Sequence, residues 1–140
     1  MKPKAPKSAP DWTALVAAAR AAAARAHAPY SNYHVGAALL ADDGTVFTGC
    51  NVENASYGLT NCAERTALFK AVSEGHRAFR ALAIAGGTAR APAVPCGACR
   101  QVLAEFCAAD MPVAVAPLRR GAPVVRPLSA YLPFSFSISR

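Results

Sequence analysis

The sequence predicts an α/β domain in which one sheet carries helices on both faces. Two observations predict it. Apolar residues recur at helical spacing in three segments, with short β-like runs between them, in the order helix, hairpin, helix, strand, helix, strand. At 140 residues and 54% hydrophobic content, the chain is one domain long and apolar enough to bury a single core.

Each element has a local cause. Asp11 can cap a helix that runs through the Ala-rich segment to about His27, where Pro29 stops it. Residues 33–40 read as a strand, and Asp42-Asp43-Gly44 turns the chain into a second strand over 45–49, a hairpin. A polar loop over 51–58 follows. The stretch Asn61-Cys62-Ala63-Glu64-Arg65 opens a helix with Ala67, Leu68, Ala71 and Val72 on one stripe and Gly75 at its end. Residues 80–85 form a mostly apolar, buried strand. A Pro/Gly/Ala loop then leads to Cys96, where a helix begins with Val102, Leu103, Phe106 and Cys107 on one side. Residues 112–116 give another strand, and Val124-Val125 a further short one.

Charge narrows the partners. The formal charge is +7, but three of the 15 Lys and Arg residues, Lys2, Lys4 and Lys7, sit among prolines at the N-terminus. Residues 1–10 therefore read as a flexible basic tail, and 11–140 as the domain. The arginines are scattered and no aromatic-basic groove is evident, which favours a mildly positive surface over a nucleic-acid binder. No apolar run reaches the length of a membrane span, and Arg20 and Arg25 interrupt the only segment resembling a signal peptide. The chain thus reads as cytoplasmic. In a reducing compartment its five cysteines are metal ligands, catalytic thiols or small core residues rather than a disulfide framework.

Pro95-Cys96-Gly97-Ala98-Cys99-Arg100 carries the strongest local signal. Two cysteines three apart at a helix start present both sulfurs to one point, the spacing of zinc sites and also of thioredoxin-like redox pairs. A helix N-terminus lowers a thiol pKa in either case. Zinc needs a third ligand, and Cys62 begins the other helix. On a regular helix Cys62 and Glu64 point about 200° apart. In a first turn, where side chains tilt toward the N-terminus, both can reach an ion beyond the helix end. Three thiolates overcompensate a divalent ion; two helix dipoles offset part of the excess. Arg65 and Arg100 could donate to the sulfurs or remain solvated. Three ligands with one open position mark a catalytic zinc, which makes Glu64 a better proton carrier than ligand.

These residues resemble the zinc-dependent cytidine deaminases, in the short homotetrameric class. Beside Cys-Ala-Glu and Pro-Cys-Gly-Ala-Cys, the likeness includes Ala28-Pro29-Tyr30-Ser31-Asn32, the run from Gly49 to Ala55, and Leu132-Pro133-Phe134. The resemblance implies a three-layer α/β/α fold with a mixed central sheet. It implies Zn²⁺ on Cys62, Cys96 and Cys99, and Glu64 as proton shuttle. Arg65 is then charge compensation beside Cys62. Asn51 and Glu53 would hydrogen-bond the ribose hydroxyls, and Ala63 would offer its backbone N–H to the pyrimidine carbonyl. Tyr33 would lie against the base, where the family usually has phenylalanine, so base selectivity could differ. Tyr57 and Phe134 would approach a neighbouring subunit's site in a homotetramer.

The implied reaction is hydrolytic deamination of cytidine and 2′-deoxycytidine to the uracil nucleosides, with ammonia released, a step of pyrimidine salvage. Competing readings are a deaminase of another cytosine nucleoside such as blasticidin S, a polynucleotide deaminase, a nucleic-acid-binding structural zinc module, and a redox protein. Cys50 and Cys107 read as small core residues. His27, His34 and His76 have no metal-ligand spacing with the cysteines, and Glu74 and Glu105 read as solvated helix faces.

Overall fold

Strand alternation decides which helix covers which face of the sheet. The computed structural model describes residues 7–139. Its elements are α1 (Trp12–Ala23), β1 (Gly36–Ala41), β2 (Val46–Cys50), α2 (Ala63–Ser73), β3 (Phe79–Ala85), α3 (Gly97–Phe106), β4 (Pro112–Ala116), β5 (Val124–Pro127) and α4 (Leu128–Tyr131). The strands lie in the order β2-β1-β3-β4-β5; only β3 and β4 are parallel, so the sheet is mixed.

Leu39 of β1, Leu82 and Ile84 of β3 and Val113 and Val115 of β4 point to one face, under Ala67, Leu68 and Ala71 of α2 and Leu103 of α3. Each large side chain fully buried there contributes on the order of 1.5–3 kcal/mol. The opposite face is almost all alanine: Ala38, Ala81, Ala83, Ala85, Ala114 and Ala116 meet Leu15, Val16 and Ala19 of α1. Small residues let α1 come close. A Cβ on Gly36 would lie 1.8 Å from the Ala19 carbonyl oxygen and 2.5 Å from the Ala23 nitrogen, both rigid backbone atoms. Gly36→Ala should therefore cost about 3 kcal/mol or more, the upper end for overpacking. Gly58→Ala, where a Cβ meets nothing within 4 Å, should stay within about 0.5 kcal/mol. Urea denaturation of both variants checks the contrast.

Two boundaries differ from the sequence expectation, and two short elements were not foreseen. The first helix stops at Ala23 rather than near His27, because the His27 backbone pairs with the loop after β2: its N–H donates to the Asn51 carbonyl at 3.0 Å and its carbonyl accepts from the Glu53 N–H at 2.8 Å. β1 begins at Gly36 rather than 33, because the Asn51 side chain takes the place of a strand partner. Its Nδ2 donates to the Tyr33 carbonyl at 2.7 Å and its Oδ1 accepts from the Val35 N–H at 2.9 Å. The short α4 and a 3₁₀ turn at Tyr57–Leu59 carry too few residues to show a period. By contrast, Gly75 ends α2 as expected, with a left-handed φ of 95° just past the last turn.

Of the expected tail, residues 1–6 lie outside the described residues. Lys7 pairs with Asp42, and Arg80 donates to the Ser8 carbonyl, so the chain just before α1 runs against the hairpin turn and the start of β3.

Candidate metal centre and adjoining pocket

Two helices begin at cysteines. Cys62 is the N-cap of α2 and Cys96 the N-cap of α3, and neither side chain caps its own helix. A serine or aspartate there would turn its oxygen inward to the backbone N–H groups; here both sulfurs remain available. Cys99 lies in the first turn of α3, fully buried. The Sγ atoms of Cys62, Cys96 and Cys99 all lie within 4.8 Å of one another, the only such metal-competent group among the described residues. Three convergent thiols facing two helix N-termini fit a thiophilic divalent cation such as zinc, with one coordination position open.

The surrounding groups set the protonation. Cys62 Sγ lies 3.7 Å from Cys96 Sγ and accepts from an Arg65 Nη2 at 3.3 Å. Hydrogen bonding to Cys99 and then to Arg65 outweighs burial and lowers the Cys62 thiol to about 5. The Cys99 thiol moves up instead, through its hydrogen bond to Cys62, its burial and the nearby Glu64. Glu64 is only 4% exposed, and its Oε2 accepts from Cys99 Sγ at 3.1 Å. Burial raises its pKa, against the opposing hydrogen bond from Cys99. A buried carboxyl with a raised pKa beside a three-thiol cluster is a pattern of catalytic rather than structural sites.

Arg65 therefore sits where charge compensation would put it. Arg100 does not reach a sulfur. Its Nε donates to the Pro95 carbonyl at 2.6 Å and its Nη1 to the Tyr131 carbonyl at 3.0 Å, with the guanidinium over the Tyr131 ring. It ties the approach to Cys96 to α4. Because Arg65 touches a metal-competent sulfur, Arg65→Gln should keep a bound metal but lower activity about 10- to 100-fold. Metal content and kcat measured on the same preparation check this.

A pocket of about 340 Å³ adjoins the thiols and brings together Tyr33, Asn51, Glu53, Cys62, Ala63, Glu64 and Cys96. Asn51 is buried with its amide partly engaged by the backbone of the segment before β1. Glu53 accepts from the N–H groups of Tyr30 and Ser31 and from the Ser31 hydroxyl, and these bonds lower its pKa, the hydroxyl most. Both side chains keep lone pairs, and Asn51 one N–H, for a ligand. Ala63 is the first residue of α2, where a backbone N–H has no partner within the helix. Tyr33 is 46% exposed; burial and then Glu64 raise its phenol pKa.

Two expected residues lie apart from this pocket. Tyr57 is exposed and packs edge-on against Tyr30, and Phe134 is 94% exposed. Pocket residues that sequence reading did not single out include Thr60, Pro92, Ala93 and Val94; loop residues without chemistry or period leave no signal. Of the cysteines expected in the core, Cys107 is buried, which pushes its thiol up to about 12, whereas Cys50 is only half-buried at the end of β2.

Comparison with known proteins places this geometry. The family description "Cytidine and deoxycytidylate deaminase zinc-binding region" matches residues 11–115. A cytidine deaminase of Sporosarcina psychrophila is 58% identical over 103 residues, 74% of this chain and 75% of that protein. A crystal structure of cytidine deaminase from Burkholderia pseudomallei superposes with a TM-score of 0.84 at 51% identity, covering 89% of this chain and 98% of that one. The cytidine deaminase structure from Mycobacterium tuberculosis gives 0.78 at 43% identity, covering 93% and 100%.

Proposed function

Because the chain belongs to the cytidine and deoxycytidylate deaminase family, we propose that it hydrolyses cytidine and 2′-deoxycytidine to uridine and 2′-deoxyuridine, releasing ammonia. The observation that carries the reading is the buried carboxyl of Glu64 at 3.1 Å from Cys99, inside a three-thiol cluster that opens onto a nucleoside-sized pocket.

Cys62, Cys96 and Cys99 would hold Zn²⁺, which when bound supplies Lewis acidity and makes water a nucleophile at neutral pH. Every other role falls to side chains and backbone. Glu64 takes a proton from the attacking water and delivers it to N3 of the pyrimidine as C4 becomes tetrahedral. It then carries the second proton to the exocyclic nitrogen, which leaves as ammonia. Its raised pKa suits a group that must hold a proton part of the time. The Ala63 N–H faces the pyrimidine carbonyl, Tyr33 lies along the base, and Asn51 and Glu53 take the ribose hydroxyls. Arg65, donating to Cys62, offsets the excess negative charge of three thiolates.

The same reading makes the chain a homotetramer with shared sites. Support comes from apolar side chains left uncovered near the pocket and the C-terminus: Tyr30, Tyr57, Leu59, Phe134, Phe136 and Ile138 are all more than half exposed. Patches of this kind mark association surfaces. Light scattering on the purified protein tests it, with a monomer at working concentration as the result that sinks it. A cytoplasmic location, in nucleoside salvage, is supported by five free cysteines. No helix among the described residues is long and apolar enough to cross a membrane.

The test of function is a substrate panel followed by ultraviolet absorbance, which changes as cytosine becomes uracil. Zinc-loaded protein should turn over cytidine and deoxycytidine. Turnover of neither, or of blasticidin S alone, would overturn the proposal.

A further inference from the structure

A second cleft of about 400 Å³ lies beside the active pocket, at the ends of β3 and β4, and Tyr33 borders both. Its polar wall is Asn32, His34, Thr88, Arg119 and Arg120, with no acidic side chain among the lining residues. Among the described residues, neither Arg119 nor Arg120 makes a side-chain hydrogen bond or ion pair. Both arginines are exposed, and the fold fixes the loop that carries them.

It does so through the backbone. Arg20 of α1 reaches across to the loop, its Nε donating to the Pro117 carbonyl at 3.1 Å and its Nη2 to the Gly121 carbonyl at 2.8 Å. One guanidinium thus grips the loop on both sides of Arg119-Arg120. The Leu118 N–H donates to the Gly87 carbonyl at 3.1 Å and fixes the middle. Gly121, with φ at 142°, closes the loop in a conformation other residues rarely adopt. On the facing side Asn32 stands in the left-handed region at φ 55°, its Oδ1 3.3 Å from His34 Nε2. Backbone strain and a pre-set loop concentrate on this one cleft.

We propose that the cleft is a binding site for a nucleotide, with its phosphates on Arg119 and Arg120 and its base against the face of Tyr33 turned away from the active pocket. Arginine forks match phosphate oxygens in pairs, and Pro117, Leu118 and the Tyr33 ring give a flat base apolar surface to lie on. A cleft of this volume is within the range for small-molecule sites. A bare anion would need only the arginines; the shared aromatic wall is the feature that selects a nucleotide. Occupancy would also bear on Tyr33 from behind and change KM for cytidine. That consequence alone rests on the deaminase reading.

The experiment is a calorimetric titration of the zinc-loaded protein with uridine 5′-triphosphate and, separately, with inorganic pyrophosphate. No turnover is involved, so the result is independent of whether cytidine is the substrate. The triphosphate should bind at least about tenfold more tightly than pyrophosphate. Arg119→Ala/Arg120→Ala, which leaves the Arg20 grip intact, should lose about tenfold or more in triphosphate affinity, and Arg119→Lys/Arg120→Lys should lose less. Thermal unfolding of each variant confirms that the loop change left the fold in place. Equal affinity for the two ligands, or unchanged triphosphate binding in the double alanine variant, overturns the proposal.

Discussion

Glu64→Ala should retain one zinc per chain and lose about 10²- to 10⁴-fold in kcat on cytidine, the range for a general acid–base group. The geometry explains why the two effects separate. Glu64 accepts a hydrogen bond from Cys99 but is not one of the three convergent sulfurs. Removing it leaves every sulfur in place. A Cys99 thiol can donate to the carboxylate; a thiolate cannot. Once Cys99 is a ligand, the carboxyl must instead satisfy itself with a proton or with a proton-bearing reactant, which is the condition of a shuttle. Burial pushes in the same direction, raising the Glu64 pKa. Glu64→Gln controls for the space left behind: it keeps the volume and cannot relay protons, so it should be as inactive as the alanine variant. Loss of zinc in both variants would make Glu64 a ligand and remove the shuttle from the mechanism.

What could be read from the sequence was whatever depends on neighbours a few residues away. Cys96 and Cys99 share one helical turn, and Cys62 and Glu64 share another, so proximity within each pair follows from helix geometry, while the fold brings the two turns together. The turn at Asp42-Asp43-Gly44 and the stop at Gly75 are local in the same sense. The layers follow from the order of the elements, whereas the mixed sheet came through resemblance, since strand order is not written in spacing. Missing altogether were long-range polar contacts. Asn51 was expected only as a ribose ligand, yet its amide also reaches the Tyr33 carbonyl and the Val35 N–H, 18 and 16 residues away, and so sets where β1 begins. Glu53 holds the Tyr30-Ser31 loop over a similar span. Arg65 and Arg100 each follow a cysteine closely, and the sequence favours Arg65 for charge compensation. Only the fold shows that one reaches a sulfur while the other finds the Tyr131 carbonyl, 31 residues on. Tyr57 and Phe134 carry the same lesson further: both stay exposed among the described residues, and the proposed homotetramer is what would cover them.

Cys99→Ala should reduce bound zinc from one per chain to a small fraction and abolish deamination with it. Tightly bound zinc in small protein sites is held by about 10–16 kcal/mol, so one thiolate of a four-coordinate site accounts for about 3–4 kcal/mol. That is about two to three orders of magnitude in affinity. Cys99 is the ligand least able to be replaced. It is fully buried in the first turn of α3, away from bulk solvent, with the Glu64 carboxyl 3.1 Å from its sulfur. Cys107→Ala is the matched control: that thiol is buried in the same helix's end, has its pKa pushed up by burial alone, and should lose no metal. Adding Cys62→Ala separates zinc from the redox reading of Cys-Gly-Ala-Cys. A redox pair needs Cys96 and Cys99 but is indifferent to Cys62. A three-thiol metal centre, with Cys62 Sγ 3.7 Å from Cys96 Sγ, must fail equally when Cys62 is replaced. Colorimetric zinc release from Cys62→Ala, Cys99→Ala and Cys107→Ala decides the matter. Full zinc in either of the first two would remove that cysteine from the centre.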